Sequence, residues 1–342
     1  MRHVRLLAVA VLAVLMLAVP AANAAGSWQI VTSPTTKELY SLFMISSSEG
    51  WAVGADGVIL HYSGGSWSLY AGSPTSNDLR SVFMVDSSEG WAVGMSILHY
   101  AGGVWSLWGN PSFPFPFYDV YMIDSTEGWA VGAAGIAYHY TGGSWVSVGA
   151  TCGGTCMSVF MVTASDGWIV GQSGTITHYN GASWSVYTTI PPNMLRSVYM
   201  LSATEGWSVG GGGTIVHYSA PTWSTVTSPT TKELYSLFMI SSSEGWAVGL
   251  NGVILHYSGG SWSLYTSPTT NNLYSVHMLS SFDGWATGTI LQYSDSPPSS
   301  SRPVGGFIEP INKLTIAAPY LALFGLAAVV VVAVAPWKKR GN

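Results

Sequence analysis

The pair Gly-Trp returns seven times, with its tryptophan at Trp51, Trp91, Trp129, Trp168, Trp207, Trp246 and Trp285, in steps of 40, 38, 39, 39, 39 and 39 residues. So regular a period restricts the chain to a repeat architecture. Each unit carries four short apolar runs, which in the first unit are 42–45, 51–53, 58–62 and 67–70. The runs are rich in β-branched and aromatic residues and are separated by Gly, Ser and Asp, which predicts strands joined by tight turns. Four strands in a unit of about 40 residues suit a β-propeller blade, whereas β-helix coils are shorter.

The ends of the array set the blade number. The seventh unit, 273–293, lacks the fourth strand that the other six carry around Trp67, Trp105, Trp145, Trp184, Trp223 and Trp262. The missing piece lies at the other end of the chain: Gly26-Ser27-Trp28 followed by TSPTT at 32–36 matches Gly260-Ser261-Trp262 followed by TSPTT at 266–270. The fold expected is therefore all-β, a seven-bladed β-propeller closed by its N-terminal strand, which removes the exposed edges of an open array. Blades pack on both faces, so their strands should be apolar on both. The internal comparison agrees: the positions of Met44 and Tyr62 are invariant across the seven units, and that of Phe43 is aromatic in six, with His277 in the seventh. Residues 31–70 and 226–265 match at 38 of 40 positions, which points to a recent duplication and to blades without chemistry of their own.

Outside the propeller (25–296), four segments differ in character. Residues 1–24 hold Arg2 and Arg5, an apolar run from Leu6 to Val19, and Ala22-Asn23-Ala24, the pattern of a cleaved secretory signal peptide. A retained anchor is the other reading, although the run is shorter than the ~20 residues a bilayer needs. Residues 297–313 form a Ser/Pro/Gly-rich stalk. The uncharged stretch 314–337, followed by Lys338-Lys339-Arg340 within the tail 338–342, reads as a single transmembrane helix with a cytoplasmic basic end. The same pattern also marks processed surface proteins. The expected location is the plasma membrane, single-pass, with the propeller extracytoplasmic.

The propeller carries four bases, Lys37, Arg80, Arg196 and Lys232, against 15 acids, so its formal charge is 4 − 15 = −11. Nucleic acid is excluded as a partner, since phosphate affinity needs clustered Lys and Arg. Cys152 and Cys156, the only cysteines, suggest a small disulfide loop in an exported domain; a metal site would need further ligands, and free thiols are the remaining alternative. Six units place a His before the invariant Tyr (His61, His99, His139, His178, His217, His256), and all seven place an acid before Gly-Trp (Glu49, Glu89, Glu127, Asp166, Glu205, Glu244, Asp283). A ring of histidines invites a metal, and a ring of acids invites calcium. Each blade offers too few ligands for either, so repeated structural hydrogen bonds from the histidines and turn-stabilising carboxylates are expected, with no metal and no cofactor.

Enzyme chemistry finds no support. Glycoside hydrolysis needs two carboxylates flanking one bond, a sialidase needs an arginine cluster, and no phosphate-binding Gly loop opens a helix. No catalytic residue is assigned. Diversity is concentrated in the connections between units, GSPTSNDL, GNPSFPFPFY, GATCGGTC and TTIPPNML, while the turns after each first strand stay monotonous. Variable loops on a repeated scaffold are where recognition concentrates. The candidate binding residues of that variable face are Phe113, Phe115, Phe117 and Tyr118, with Arg80 and Arg196. The alternative for the phenylalanine run is a loop folded onto its own blade.

The elements Glu49-Gly50-Trp51-Ala52-Val53-Gly54, Gly57-Val58-Ile59-Leu60 and Gly64-Gly65-Ser66-Trp67 resemble the photosystem II stability and assembly factor family of propellers, itself similar to the repeats of bacterial neuraminidases. The resemblance covers all seven units. It implies a seven-bladed exported propeller and, for the photosynthetic members, a role in assembling membrane complexes. The Asp-box turn is degenerate here: Tyr62-Ser63-Gly64-Gly65-Ser66-Trp67 keeps the Gly and Trp without the Asp, and the propeller has only two arginines where the family is richer. The expected function is a membrane-anchored binding or scaffold module for an extracellular protein or glycan. An assembly or stability factor for a membrane complex is the alternative, and a degenerate glycosidase-like enzyme is a third.

Overall fold

The computed structural model describes residues 26–109, 115–150, 152–190 and 192–295. The expected signal peptide, stalk, apolar span and basic tail lie outside the described residues, as does Phe113. Among the described residues no helix is long and apolar enough to cross a membrane.

These residues form seven four-stranded antiparallel sheets. Blade 1 consists of Leu39–Ser46, Glu49–Gly54, Ile59–Ser63 and Ser66–Leu69, and blades 2 to 7 repeat the order. Blade 7 takes its fourth strand from the start of the described chain: Ser27–Ile30 pairs antiparallel with Leu291–Ser294, setting Ser27 opposite Ser294 and Trp28 opposite Tyr293. The closure expected from the repeat count is therefore the one observed.

Adhesion between blades comes from a repeated aromatic lock. Trp51, on the second strand of blade 1, stacks on His61 of its own blade at 4.1 Å between ring centroids. From blade 2 it receives Tyr100 at 4.8 Å and the edge of Trp105 at 5.5 Å, inclined by 82°. At the seam, Trp246 of blade 6 receives Tyr293 at 4.8 Å and Trp28 at 5.5 Å and 83°, so the N-terminal tryptophan fills the place Trp105 fills elsewhere. All seven second-strand tryptophans are at most 2% exposed. Their indole N–H groups meet no oxygen or nitrogen acceptor among the described residues. The Gly of each Gly-Trp pair has its own reason: a Cβ on Gly50 would collide with the sulfur of Met44, and the same pairing holds Gly90 against Met84 and Gly284 against Met278.

Chain direction assigns the two faces. First strands run from the face of the inter-blade connections toward the face of the Ser/Asp/Glu turns, and third strands do likewise. Ser294 ends a third strand and Ser27 begins a fourth, so both ends of the described propeller emerge on the turn face, opposite the variable connections.

Replacing Trp28 by Ala removes the seam's aromatic lock and leaves Trp246 and Tyr293 without their neighbour. Equilibrium denaturation of this variant is expected to show a loss of about 3–5 kcal/mol, whereas Leu69→Ser, at a side chain 54% exposed on an outer strand, should stay within about 0.5 kcal/mol.

Candidate binding site at the mouth of the central channel

The site grows out of an irregularity in strand pairing. Where the first strand of a blade begins, the register skips one residue, between Leu39 and Ser41, Leu79 and Ser81, Phe117 and Asp119, Cys156 and Ser158, Leu195 and Ser197, and Leu234 and Ser236. A bulge frees its extra residue from the pleat and re-aims the side chain. The residues freed are Tyr40, Arg80, Tyr118, Met157, Arg196 and Tyr235; with Tyr274 of blade 7 they line a depression of about 120 Å3 at the mouth of the channel. An apolar cavity of about 150 Å3 takes one benzene, so the mouth has room for a single side chain rather than a folded element.

Beneath these residues runs a polar belt. Ser41, Ser81, Ser158, Ser197, Ser236 and Ser275 occupy one position in six blades, and Asp119 takes it in blade 3. Five of these hydroxyls accept from a backbone N–H of the next blade: Val82 N–H donates to Ser41 Oγ (3.2 Å), Val120 N–H to Ser81 (3.4 Å), Val198 N–H to Ser158 (3.3 Å), Leu237 N–H to Ser197 (3.3 Å) and Val276 N–H to Ser236 (3.2 Å). Asp119 does the same with more acceptors. Its Oδ2 accepts from Val159 N–H at 3.0 Å, and its Oδ1 accepts from Ser81 Oγ at 2.8 Å and Val120 N–H at 3.0 Å.

Above the belt, five successive blades form a stacked arc. The guanidinium of Arg196 lies over the Tyr235 ring at 5.6 Å, Tyr235 meets Tyr274 at 5.2 Å, Tyr274 meets Tyr40 at 5.5 Å, and Arg80 covers Tyr40 at 4.3 Å. Both arginines are already neutralised, Arg80 by Asp78 at 2.7 Å and Arg196 by Glu233 at 2.6 Å. Tyr40 donates to Glu38 Oε2 at 3.2 Å and Tyr274 to its Oε1 at 3.4 Å, so Glu38 joins the two ends of the ring at the rim. Burial pushes the Tyr40 and Tyr235 hydroxyls up, which keeps both phenols neutral donors at physiological pH.

Deeper still, Phe43, Phe83, Tyr121, Phe160, Tyr199, Phe238 and His277 make an unbroken collar with neighbouring centroids 4.8–5.0 Å apart. Burial alone holds His277 down at about 4 and pushes Tyr121 up to about 12, as a dry constriction requires. The mouth is thus a pit floored by the Ser/Asp119 belt, with the aromatic collar closing the channel below it.

Of the sequence candidates, the structure brings Arg80, Arg196 and Tyr118 together at this mouth. Phe115 sits exposed on the approach to blade 3. Phe117 needs correction: it is fully buried, packs edge-on against Tyr138 at 5.2 Å and belongs to the core between blades 2 and 3. It opens a first strand where other blades have Leu39, Leu79, Leu195 or Leu234, so it is a core residue and not a surface anchor. Cys152 and Cys156 are bonded to each other and buried.

The two repeated polar columns turn out to be one feature. Asp166 Oδ1 lies 2.8 Å from His178 Nε2, and Glu127 and Glu89 lie 3.2 and 3.4 Å from His139 and His99. Glu49, Glu205 and Glu244 stand 3.7–3.8 Å from their histidines. These carboxylates therefore orient the imidazole that stacks on each tryptophan. Holding the turn falls to its own residues, as where Asp86 Oδ1 accepts from Ser88 and Glu89 N–H. Among the described residues no three His, Cys, Asp or Glu side chains gather as a metal site.

The fold is shared with YCF48. A structure of YCF48 bound to D1 peptide superposes with a TM-score of 0.65 at 19% identity, over 79% of this chain and 97% of that one. YCF48 from Cyanidioschyzon merolae, a photosystem II assembly factor, gives 0.63 at 17% over 78% and 98%. The WD40 propeller domain of Doa1 gives 0.68 at 14% over 79% and 97%. No protein-family model matches the chain, and no curated protein matches it.

Burial pushes the Asp119 carboxyl up to about 6, against hydrogen bonds from Val159, Ser81, Ser158 and Val120 that lower it. The folded protein therefore binds this proton more tightly than the unfolded chain does. The resulting contribution to stability is complete below the ordinary carboxylate range and is lost as pH rises through about 6. Asp119→Ser, which restores the residue of the other blades, should abolish that dependence. In urea titrations the variant is expected to gain on the parent by about 2 kcal/mol between roughly pH 4.5 and pH 8; an unchanged difference would contradict the assignment.

Proposed function

We propose that this propeller is a non-enzymatic scaffold that binds an extended protein segment at the mouth of its channel, held outside a membrane by the apolar span 314–337. The observation that carries the reading is the bulge column. Six blades release one side chain each from packing and aim it at a common point, and these are Tyr40, Arg80, Tyr118, Met157, Arg196 and Tyr235. Tyr and Arg are enriched at binding hot spots, because they combine contact area with hydrogen bonding. A pit with room for one side chain suits a peptide that inserts a residue while its flanks lie across the rim.

The anchoring half of the proposal rests on the sequence of 314–337 and on where the described chain ends. Because residues 27 and 294 both lie on the turn face, a tether leaving there would put the mouth on the side away from the bilayer. The likeness to YCF48 bound to D1 peptide favours a second, narrower reading, in which the partner is a subunit of a membrane complex and the chain serves its assembly or stability. The acids of the propeller are spread among the blades, so no catalytic role is assigned.

A photo-cross-linking amino acid placed at Tyr274 or Tyr118 of the full chain, in intact cells, should give discrete adducts. The same probe at Ser46, on the turn face, should not. Adducts from Ser46 alone, or none from the mouth, would contradict the proposal.

A further inference from the structure

At six of the seven belt positions the chain keeps a neutral hydroxyl, and five of these join neighbouring blades by a hydrogen bond. Blade 3 keeps a carboxylate there, although Ser at the same position makes the same bond elsewhere. Closure of the ring therefore does not explain Asp119.

Its surroundings supply a reason. Asp119 is half-buried, and charges withdrawn from water are ordinarily paired, yet among the described residues no Lys, Arg or His forms an ion pair with it. The donors that hold it, the Ser81 and Ser158 hydroxyls and the Val120 and Val159 amides, are neutral. They fix the carboxylate in place and leave its charge uncompensated. The two guanidiniums of the rim are committed to Asp78 and Glu233, each at 2.7 Å or less. Counting Glu38, Asp78, Asp119 and Glu233 against Arg80 and Arg196, the mouth sums to 2 − 4 = −2. Its wall carries Tyr40 and Tyr235, each with one face already under a rim guanidinium, and Tyr118 and Tyr274, and such ring faces attract cations. A negative centre at the bottom of a pit with aromatic walls is a receptor for positive charge.

We infer that the mouth selects a cationic side chain, a lysine ammonium or an arginine guanidinium, which enters between the tyrosines and supplies the counter-ion that Asp119 lacks. The inference rests on the mouth being the binding site, as proposed above, and adds the chemistry of what enters it. The specificity-determining residue is Asp119. Arg80 and Arg196 act as the ends of the aromatic arc and as donors to the flanking peptide backbone.

The test is a selection. The full chain in detergent micelles is immobilised and panned against displayed short random peptides, and recovered peptides are titrated calorimetrically against the parent, Asp119→Ser, Asp119→Asn and Tyr274→Ala. Circular dichroism and melting curves confirm that each variant is folded. The recovered peptides should share a Lys or Arg at one aligned position. Replacing that residue by norleucine, or Asp119 by Ser or Asn, should each weaken binding about tenfold or more, and the double change should cost little beyond either single one. Peptides with no shared cation, or affinities indifferent to Asp119 but lowered by Tyr274→Ala, would overturn the cation specificity and leave the mouth as the site. Affinities indifferent to both Asp119 and Tyr274, or a selection that recovers nothing, would overturn the two together.

Discussion

The structure depends on a single contact repeated seven times: a tryptophan on the second strand of each blade, backed by its own blade and gripped edge-on by the fourth-strand tryptophan of the next. Trp51 against Trp105 shows it within the array, and Trp246 against Trp28 shows it across the seam. The contact is directional, since each blade gives a ring face to one neighbour and an edge to the other. A chain built from it has an unsatisfied face and an unsatisfied edge at its two ends, and closing the ring pairs them. Gly-Trp, the invariant Met and the invariant Tyr all serve this lock, which explains why they tolerate so little change from blade to blade.

Because the lock uses the second, third and fourth strands, the start of the first strand is released from it. The bulge there places one residue per blade outside the pleat, and that residue varies: Tyr, Arg, Tyr, Met, Arg, Tyr. Directly beneath, the Ser belt continues the joining of blades by hydrogen bonds, and Asp119 is its one charged member. Architecture and recognition thus occupy adjacent positions of the same strand. A change in the freed residue alters the mouth without touching the seam, whereas a change at Phe117, next to Tyr118, would open the core.

The blade count and the closure were legible in the sequence because they are properties of a period and of two ragged ends that fit each other. The mouth was legible only in part. Arg80, Arg196 and Tyr118 stood out by residue type, but the bulge that gathers them with Tyr40, Met157, Tyr235 and Tyr274 is a matter of register, which strand propensity does not reveal. Asp119 could have been found by reading the column Ser41, Ser81, Asp119, Ser158, Ser197, Ser236, Ser275 and asking why one member is charged. Phe117 was misplaced for the converse reason. Its neighbours Pro114 and Pro116 suggested a loop, while its alignment with Leu39 and Leu79 already marked it as core. The pairing of Glu127 with His139 was hidden by a separation of 12 residues, which the antiparallel second and third strands bring together.

The mouth exists only if blades 1 and 7 are joined, since Tyr40 and Tyr274 meet across that junction. Amide hydrogen exchange on the full chain tests it most directly, through the peptide that covers Ser27–Ile30. If the ring is closed, this strand exchanges as slowly as the outer strands Ser66–Leu69 and Ser261–Tyr265. If it exchanges at the rate of an unstructured segment while those two remain protected, the N-terminal strand is not part of blade 7, and the mouth assembled here does not exist as described.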